Sequence, residues 1–467
     1  MPIIKTDIVV LGAGPGGYSA AFRAADLGKK VVLVERFETL GGVCLNVGCI
    51  PSKALLHAVK VIDEVHQLGA HGIEFGTPHI DVNGLRASKD RVVKKLTAGL
   101  KSLAQQRKVT VVSGKAQFSS ANHLEVIGAE NTTIEFEHAI IAAGSHPVKL
   151  PFFPEDPRIM DSTDALNLKN IPQEMLVIGG GIIGLEMATV YRALSSKITV
   201  VELMDQLVPG LDADIVKPLH QYVAKQYERI LLKTKVTKAV ARDDGIYVTF
   251  EGAVNEEKRF DSILVAVGRQ PNGKLIGAEN TGIIVDARGF ISVDQQLRTN
   301  VKNIFAIGDI IGNPMLAHKA SHEGRRVAEI IAAGAGEYHA PHIPSVAYTD
   351  PEIAQVGATE NELIKNNIPY KKTIFPWMAN GRSLSLGRSE GLTKLLFDPA
   401  TQQILGGSIV GPNAGELIAE IALALRMKAT AHDLAETVHP HPTLSETVMM
   451  AAEVFEGTVT DIFLKKL

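Results

Sequence analysis

A strand-like segment at residues 7–11, apolar from Ile8 to Leu11, opens the first regular pattern of the chain. A glycine-rich turn follows, then an alanine-rich stretch to Leu27, and then a second apolar run at 31–34 that ends at Glu35. Short unbroken apolar runs are typical of strands buried on both faces, and the stretch between them has the length of a helix. The pattern therefore predicts a strand–helix–strand unit of a parallel sheet, with Gly28 capping the helix.

The same pattern recurs 167 residues later in the chain. Apolar runs at 176–178 and 198–201 flank a second glycine-rich turn and a helix that extends to about Leu194. The residues repeated at this spacing are Gly12, Gly14, Gly17 and Glu35, which correspond to Gly179, Gly181, Gly184 and Glu202. We infer an internal duplication with both copies in the same register.

Both glycine-rich turns have the spacing Gly-Xaa-Gly-Xaa-Xaa-Gly, and an acid ends the strand that follows each of them. Such glycines permit a tight turn and a close approach of pyrophosphate to a helix N-terminus, while the acid accepts hydrogen bonds from ribose hydroxyls. The alternative is that the glycines serve only close packing of helix on strand. Two copies in full strand–helix–strand context favour two dinucleotide-binding sites.

Further along the chain, the pattern predicts a helical region from about 52 to 106, followed by short strands. The apolar strands at 138–147 and 262–271 both end in proline, which indicates crossings between domains. Another strand, at 303–309, ends in Asp309, and a helix follows it.

The last third of the chain has mixed strands and amphipathic helices, beginning at about residue 343. Apolar residues from Glu416 to Met427 follow a helical period, which fits either core packing or a subunit interface. Together the patterns predict an α/β fold with two Rossmann-like dinucleotide-binding domains and a C-terminal α+β dimerisation domain.

The composition is that of a globular protein: 467 residues, 45% hydrophobic, 21% charged, with a net charge of −3. Lysine and arginine are scattered, so we expect no nucleic-acid partner. We also expect no membrane partner, because no apolar run approaches the ~20 residues of a span. Only residues 1–6 precede the first strand, which leaves no room for a targeting peptide and predicts a cytoplasmic location unless the chain is a processed form.

Cys44 and Cys49 are the only cysteines in the chain. A disulfide that closes so short a ring stabilises a fold by about 2 kcal/mol, against more than about 4 for a long loop, and a reducing cytosol disfavours a permanent bond. The alternatives are incidental buried thiols and metal ligands. A metal site would need more cysteine or histidine nearby, so no metal is predicted. The pair is better explained as a dithiol that opens and closes during turnover.

Two nucleotide sites beside a dithiol indicate an electron chain. A nicotinamide gives up a hydride, whereas a dithiol gives up two electrons and two protons, and a flavin can couple the two. On these features the chain resembles the FAD-dependent pyridine nucleotide–disulfide oxidoreductases. The resemblance extends over essentially the whole chain and is most specific at 41–53, at Gly308-Asp309 and at 439–446. It implies FAD and NAD as cofactors.

The resemblance implies a different role for each cysteine: Cys44 exchanges with a dithiol substrate, and Cys49 lies against the flavin as a thiolate. Pro51 suits the first turn of a helix that starts near Cys49, where the helix dipole favours a thiolate. Lys53 follows Cys49 by one helical turn. The matching lysine in the family lies near the flavin and pairs with the residue that corresponds to Glu186. The alternative is that Lys53 is a solvated surface lysine.

The resemblance further implies that His441 is the acid–base residue and that Glu446 orients its ring. A histidine can take the proton that a dithiol loses, because its pKa lies near neutrality. His439 is the competing candidate. In the family this histidine–glutamate pair comes from the partner subunit, which implies a homodimer, and the His441–Pro442 bond is a candidate cis peptide.

Contacts with the cofactors are implied at several other positions. Asp309 matches the acid that binds the FAD ribityl chain, and the helix after it would point its N-terminus at the flavin. Glu202 favours the free ribose 2′-hydroxyl of NAD and disfavours the 2′-phosphate of NADP. The remaining implied contacts are at Gly144, Gly268 and Ala317.

By the same resemblance, the chain has an FAD-binding domain at 1–149, an NAD-binding domain at 150–273, a second, central part of the FAD-binding domain at 274–343, and an interface domain at 344–467. The implied activity is reoxidation of protein-bound dihydrolipoamide to lipoamide, with NAD⁺ as the acceptor. The implied partners are the lipoyl domains and the dihydrolipoyl acyltransferase core of 2-oxo acid dehydrogenase complexes, or a glycine cleavage system.

The residues argue against several alternatives, both within this enzyme class and outside it. Mercuric reductases carry an extra cysteine pair near the C-terminus, which the chain lacks. Glutathione-type reductases prefer NADPH, against Glu202, and transhydrogenase relatives lack the dithiol. A non-catalytic flavoprotein subunit would require the loss of Cys44, Cys49 or His441, and all three are present.

Overall fold

The computed structural model describes residues 2–464, and their contacts group into two compact units. The first unit comprises the described part of Met1–Lys149, with Asp161–Lys169 and Val267–His339. The second comprises Leu150–Met160, Asn170–Ala266 and the described part of Ala340–Leu467. The further division into FAD-binding, NAD-binding and interface domains, at the positions given above, stays a prediction.

Residues 2–464 contain strands of three to ten residues, apart from one strand of two residues. In chain order they are β1 Ile3–Leu11, β2 Val31–Glu35, β3 Thr110–Ser113, β4 Lys115–Ser120, β5 His123–Ile127, β6 Thr132–Ile141, β7 Ser145–Pro147, β8 Ile159–Met160, β9 Glu174–Ile178, β10 Lys197–Val201, β11 Arg229–Leu231, β12 Thr234–Arg242, β13 Gly245–Gly252, β14 Glu256–Phe260, β15 Ser262–Val265, β16 Arg269–Pro271, β17 Ile304–Ala306, β18 Ser345–Ala347, β19 Glu352–Gly357, β20 Lys371–Pro376, β21 Leu392–Phe397 and β22 Ile404–Gly411.

The helices of the same residues are distributed over both units. In chain order they are α1 Pro15–Asp26, α2 Gly42–Val47, α3 Cys49–Leu68, α4 Val82–Gln106, α5 Ser162–Leu166, α6 Ile182–Ala193, α7 Ala213–Val223, α8 Ala317–Ala333, α9 Glu360–Lys365, α10 Gly381–Ser385, α11 Ala414–Met427, α12 Ala431–Ala435 and α13 Glu446–Glu456.

A seven-stranded sheet forms the centre of the first unit, in the order β3-β2-β1-β6-β5-β4, with β17 also paired to β6. The strands β1, β2, β3, β6 and β17 pair in parallel, and β2 is buried along its whole length, as its unbroken apolar run predicts. Strand β1 begins at Ile3, before the predicted start at residue 7. Its first residues pair with β6, but one face of this part of the strand is exposed, so an unbroken apolar run does not mark it. Helix α1 packs against α8 through small residues such as Ala20 and Ala24, which are fully buried.

The second unit repeats the core arrangement of the first. Its parallel sheet has the order β11-β10-β9-β15-β8, so β9, α6 and β10 take the places of β1, α1 and β2. Helices α1 and α6 are both 12 residues long, and their ends lie at the same 167-residue spacing as the glycines. The predicted duplication is therefore a duplication of structure as well as of sequence.

A five-stranded antiparallel sheet, β18-β19-β22-β21-β20, carries the C-terminal part of the second unit. Helix α11 packs on β19 and β22, and α13 packs on β20 and β21. The apolar period of α11 is explained on one side by burial of Ile418, Ile421 and Leu425 in the core. On its other side, Leu423 and Met427 are 62% and 71% exposed in the single chain. One face of α11 is therefore explained by core packing. The exposed apolar residues on the other face are consistent with a subunit interface, the second alternative given for this helix.

The predicted helical region from 52 to 106 is two long helices rather than one. Helix α3 ends at Leu68, a 3-10 turn follows at Gly69–His71, and α4 begins at Val82, so the predicted helical region is interrupted at 72–81. The segment 69–81 contains three glycines and a proline, and Gly72 adopts a positive φ of 81° that other residues rarely take. Asp81 then starts α4 by accepting a hydrogen bond from the Asn83 N–H.

One stretch of the described residues, Gly42–His71, is long and apolar enough to cross a membrane by length and composition alone. The sequence had predicted no apolar run near the ~20 residues of a membrane span. The stretch is weak evidence for a span, because helices of a protein core pass the same test. It is also interrupted at Gly48, where the backbone leaves the helical conformation between α2 and α3.

A fully buried lysine joins three segments of the second unit. Lys394 of β21 donates to Asp212 Oδ2 at 2.8 Å, Asp214 Oδ1 at 2.6 Å and Glu360 Oε2 at 3.2 Å. Asp212 also accepts from the backbone N–H of Glu360, at the start of α9. The three carboxylates have oxygens within 4.8 Å of one another, an arrangement that suits a cation, and the ammonium group of Lys394 is bonded to all three.

In this cluster the ammonium group of Lys394 and the carboxylates stabilise each other's charged forms. Burial raises the pKa of Asp212, but the hydrogen bonds from Lys394 and from the Glu360 N–H outweigh burial and leave that pKa below its usual range. An acid whose pKa is depressed in the folded state stabilises the fold above its unfolded pKa, and this contribution is lost as the pH falls through the folded value. The cluster therefore stabilises the fold at neutral pH and less so in acid.

We expect the Lys394→Met variant to be less stable than the parent at pH 7, by about 3–5 kcal/mol, because it leaves buried carboxylates without their cation. The deficit shrinks below about pH 4, where carboxylates take up protons. Thermal unfolding midpoints measured from about pH 3 to 8 check this expectation. The control is Lys235→Met, since Lys235 is 56% exposed and pairs with Glu251 at 3.2 Å on the surface. Equal losses in both variants, or a deficit independent of pH, would contradict the expected role.

Candidate active site

The two acids that end the second strand of each repeat hold the glycine-rich turns. Glu35 Oε2 accepts from the Ala13 N–H at 2.8 Å and Oε1 from the Phe37 N–H at 3.1 Å. In the second repeat, Glu202 Oε2 accepts from the Gly180 N–H at 2.7 Å. Its Oε1 accepts from the N–H of the residue two positions after Glu202, at 2.8 Å. Both acids are buried. Each carboxylate is therefore fixed at the mouth of its turn, where a ribose hydroxyl can reach its remaining lone pairs.

The three glycines of each turn meet different constraints. The first, Gly12 or Gly179, has a φ of 102° or 103°, which favours glycine on conformational grounds. A Cβ on the third would lie 1.7 Å from the Gly12 carbonyl oxygen in the first turn, and 2.1 Å from that of Gly179 in the second. The second glycine has open space: a Cβ on Gly181 would meet nothing within 4 Å. The fold thus requires the first and third glycines, whereas the second is explained by a ligand approaching the backbone.

The helices that start beside these turns fit the two dinucleotides. Helices α1 and α6 have no side-chain cap, so their first backbone N–H groups are left for a partner such as pyrophosphate. Helix α8 likewise begins at Ala317 without a side-chain cap. The first turn, Glu35, Asp309 and the start of α8 belong to one unit and form a donor and acceptor set suited to FAD. The second turn and Glu202 form a corresponding set suited to NAD.

The two cysteines lie on consecutive helices directly after the first repeat. Cys44 is in α2 and half-buried, whereas Cys49 is the first residue of α3 and exposed, as the sequence predicted for the helix start. Both are thiols in the structure, and their side chains are hydrogen-bonded to each other. That bond, followed by burial, raises the pKa of the Cys44 thiol, while Lys53 opposes the shift. The two sulfurs are therefore close enough to form the predicted redox pair.

Two charged residues of α8 form hydrogen bonds with the backbone of the Gly308-Asp309 turn. Glu323 is fully buried and accepts from the Gly308 N–H at 2.7 Å. Lys319 forms an ion pair with Glu323 at 3.0 Å, and its Nζ also donates to the carbonyl oxygens of Gly308 and Gly312, at 3.4 Å each. Sequence analysis did not identify Glu323 or Lys319, although their i, i+4 spacing on the helix after Asp309 was a usable signal.

Two other residues at this turn were also missed. Ser145 is buried and donates to Asp309 Oδ2 at 2.5 Å. The guanidinium of Arg269 donates to Ser145 through Nε at 2.7 Å and through Nη2 at 2.8 Å. Burial lowers the pKa of Arg269, while Asp309 and then Cys49 oppose that shift. No spacing rule links these residues, and the one sequence signal is an arginine four residues after the buried strand β15.

The structure separates the two candidate histidines. His441 is 75% exposed on its side chain, and its Nδ1 lies 2.9 Å from Glu446 Oε1. Glu446 is buried as the first residue of α13, and its Oε2 accepts from the Thr443 N–H at 2.7 Å. A carboxylate at Nδ1 assigns the proton to that nitrogen and leaves Nε2 as the acceptor. The pair has the base–orienter geometry that was predicted, and the His441–Pro442 bond is cis.

His439 is instead tied into the fold. Its Nε2 lies 2.6 Å from Glu420 Oε1, and its Nδ1 lies 2.7 Å from the carbonyl oxygen of Thr437. Both ring nitrogens thus face acceptors, and the side chain is only 6% exposed. A ring bound at both nitrogens cannot take a substrate proton, so the geometry favours His441 over His439.

The remaining predicted site residues are placed as follows. Glu186 is buried in α6 and accepts from the Tyr348 N–H at 3.1 Å. Lys53 lies on α3 in the other unit, with its Nζ 3.4 Å from Ser52 Oγ, and its pairing with Glu186 stays a prediction. Gly144 and Gly268 both have positive φ, of 65° and 121°, where the chain leaves a strand.

We expect Gly181→Ala and Gly184→Ala to fail in different ways. Gly181→Ala should fold normally but bind NADH about tenfold more weakly or worse, since a methyl group forced into a filled site costs about 1–3 kcal/mol. Gly184→Ala should lower the thermal unfolding midpoint, because its Cβ would meet the Gly179 carbonyl oxygen. Thermal unfolding and NADH titration distinguish the two. A Gly181→Ala variant that binds NADH normally, or one as unstable as Gly184→Ala, would refute this assignment.

Comparisons with known proteins agree with this geometry. Residues 6–324 match the pyridine nucleotide-disulphide oxidoreductase family, and residues 343–452 match its dimerisation domain. The chain is 55% identical to a dihydrolipoyl dehydrogenase of Vibrio parahaemolyticus, over 99% of this chain and 98% of that one. It is 56% identical to a dihydrolipoyl dehydrogenase of Haemophilus influenzae, over 98% of this chain and 97% of that one.

Solved structures with a similar fold come from the same group of enzymes. LpdA from Mycobacterium tuberculosis superimposes with a TM-score of 0.88 at 26% identity, covering 96% of this chain and 99% of LpdA. The HOCl-induced flavoprotein disulfide reductase RclA from Escherichia coli gives a TM-score of 0.86 at 27% identity, with the same coverage. The turns, the paired thiols and the full-length matches together show that the chain belongs to the pyridine nucleotide–disulphide oxidoreductase family.

Proposed function

We propose that the chain is a dihydrolipoyl dehydrogenase, which converts dihydrolipoamide and NAD⁺ to lipoamide, NADH and a proton. The observation that carries this function is the Cys44–Cys49 pair on α2 and α3, placed in the same unit as the first glycine-rich turn. Full-length relatives at 55% and 56% identity bear the same activity in their names. The enzyme uses FAD and NAD.

The cysteines carry the exchange with substrate. One thiolate of dihydrolipoamide attacks Cys44 of the Cys44–Cys49 disulfide, which releases the Cys49 sulfur as a thiolate. The second substrate thiolate then displaces Cys44, so lipoamide leaves as a disulfide and both cysteines are reduced. FAD, when bound, supplies the two-electron coupling between a dithiol and a nicotinamide. The exposed position of Cys49 at the start of α3 leaves room for a planar group, and the helix dipole favours its thiolate there.

His441 takes up the proton that the substrate dithiol must lose. Its Nδ1 is engaged by Glu446, which leaves Nε2 to accept the proton, and imidazole is the commonest group for such a transfer. The enzyme is a homodimer, in line with the dimerisation domain at 343–452. We assign His441 and Glu446 to the site of the partner copy, which fits the exposure of the His441 ring in a single chain.

The choice of nicotinamide cofactor rests on Glu202. Its carboxylate is held at the mouth of the second turn, where it would hydrogen-bond the ribose of NAD and repel a 2′-phosphate. The partners proposed are the lipoyl domains of 2-oxo acid dehydrogenase complexes or of a glycine cleavage system. A cytoplasmic location stays a prediction.

We expect Cys44→Ser to abolish NAD⁺ reduction by dihydrolipoamide, because serine cannot form the mixed disulfide. The variant should still bind FAD, since Cys44 lies outside the turn that fits the dinucleotide. Initial rates with dihydrolipoamide and NAD⁺, together with the FAD content, check both statements. A parallel assay of the parent with lipoamide, glutathione disulfide and Hg²⁺, using NADH and NADPH, tests the activity itself. Appreciable turnover by Cys44→Ser would reject the role of the dithiol.

We expect His441→Ala to slow dihydrolipoamide oxidation by about 10²–10⁴-fold, the usual contribution of a positioned acid–base group. Electron transfer from NADH to an artificial dye should survive, because that reaction needs no proton removal from a dithiol. The exposed histidine of α12, His432, provides the matched control as His432→Ala and should retain both activities. Equal losses of the two activities in His441→Ala would reject the assigned role.

A further inference from the structure

A half-buried chain of hydrogen bonds links an arginine to the acid predicted to bind the flavin. Arg269 donates through Nε to the hydroxyl of Ser145 at 2.7 Å, and this hydroxyl donates in turn to Asp309 Oδ2 at 2.5 Å. A second bond, from Arg269 Nη2 to the Ser145 carbonyl oxygen at 2.8 Å, fixes the guanidinium as a fork. The hydroxyl of Ser145 thus acts as both donor and acceptor, and one oxygen of Asp309 accepts its hydrogen bond.

The backbone around this chain is held in place as well. Strands β7 and β16 pair antiparallel, so Ser145 lies opposite Pro271. Asn272 fastens the same two segments, with its Nδ2 donating to the Ala143 carbonyl oxygen at 2.7 Å and its Oδ1 2.7 Å from His146 Nδ1. These contacts join residues that are 124 to 129 positions apart in sequence. The arginine is therefore a fixed part of the first unit rather than a mobile surface side chain.

The charges around the dithiol give this arginine a second effect. The ionisable groups that act on Arg269 are Asp309, Cys49 and Asp161, and those that act on Cys44 are Cys49, Lys53 and Asp309. Within this set Arg269 and Lys53 are the cations. A thiolate that forms at Cys49 when the disulfide is reduced would be stabilised by both of them. Arg269 also lines an open cleft with Gly268 and Met315.

We propose that Arg269 is a positioning residue of the flavin–dithiol site, which fixes the Asp309 carboxylate through Ser145 and supplies a cation for the Cys49 thiolate. This inference deepens the proposed function and rests on it in one respect, that a flavin binds beside Asp309 and Cys49. It predicts two separable effects. The hydrogen-bond relay acts on flavin affinity, whereas the positive charge acts on the thiolate.

Three variants separate these effects. Ser145→Ala removes the relay but keeps the charge of Arg269. Arg269→Lys also keeps a charge but loses the planar fork, and Arg269→Met loses both. The matched control is Arg288→Met, because Arg288 lines the same cleft, is 79% exposed and pairs with Asp286. Each purified holoenzyme is measured for its FAD dissociation constant, by reconstitution of the apoprotein, and for the pH dependence of the long-wavelength thiolate–flavin absorbance after two-electron reduction.

We expect FAD affinity to fall by about ten- to hundredfold in Ser145→Ala, Arg269→Lys and Arg269→Met, as for the loss of a hydrogen bond to a charged group. The absorbance should titrate about one pH unit higher in Arg269→Met alone, because a lost cation disfavours the thiolate. Arg288→Met should match the parent in both measurements.

Two results would overturn the inference. Parental FAD affinity in both Ser145→Ala and Arg269→Met would reject the positioning role, and a parental titration in Arg269→Met would reject the role of the charge. Should Arg269→Met fail to fold, the two conservative variants still decide the positioning role, and a titration of Arg269→Gln decides the role of the charge. A parent that binds FAD but does not oxidise dihydrolipoamide would contradict the proposed function and leave these flavin measurements interpretable.

Discussion

The rest of the structure depends on one close contact, the seating of a helix on the carbonyl oxygen of the turn before it. In both repeats the third glycine lies against the carbonyl oxygen of the first, at a distance that no Cβ tolerates. This contact brings α1 and α6 against their sheets and leaves their first N–H groups at the mouth of each turn. The same turn places the dithiol, because the Gly41 N–H at the start of α2 donates to the Ala13 carbonyl oxygen at 2.8 Å. Cofactor sites and redox chemistry are therefore located by backbone packing.

Much of the architecture could be predicted because its determinants are local. The duplicated strand–turn–helix–strand pattern, the start of α3 at Cys49 and the His441–Glu446 pair all depend on residues close together in sequence. The break between α3 and α4 was missed, since an apolar period tolerates a short glycine-containing interruption. The ionic contacts were missed for a different reason. Lys394 meets Asp212 from 182 positions away, and no periodicity records such a pairing.

Buried charge has a consistent use in this protein: it ties together segments that are remote in sequence or fixes a turn. Lys394 joins β21 to the start of α7 and α9, and Lys319 with Glu323 holds the turn before Asp309. Pairs of this kind contribute little net stability relative to apolar packing, but loss of one partner is costly. Their value here lies in geometry, because each fixes a backbone segment whose neighbours carry the proposed chemistry. The half-buried His439–Glu420 contact likewise holds the loop of His441.

The double engagement of Glu202 has a consequence for the evolution of coenzyme preference. Its two oxygens accept backbone N–H groups on both sides of the turn, from Gly180 and Met204. An exchange of this acid for a basic residue, which would favour a phosphorylated ribose, also leaves two backbone N–H groups without their acceptor, one of them buried. Selectivity and folding are thus coupled at a single side chain. A change of preference to the phosphorylated coenzyme would first require other acceptors for these two N–H groups. Coenzyme preference is therefore expected to change slowly in evolution.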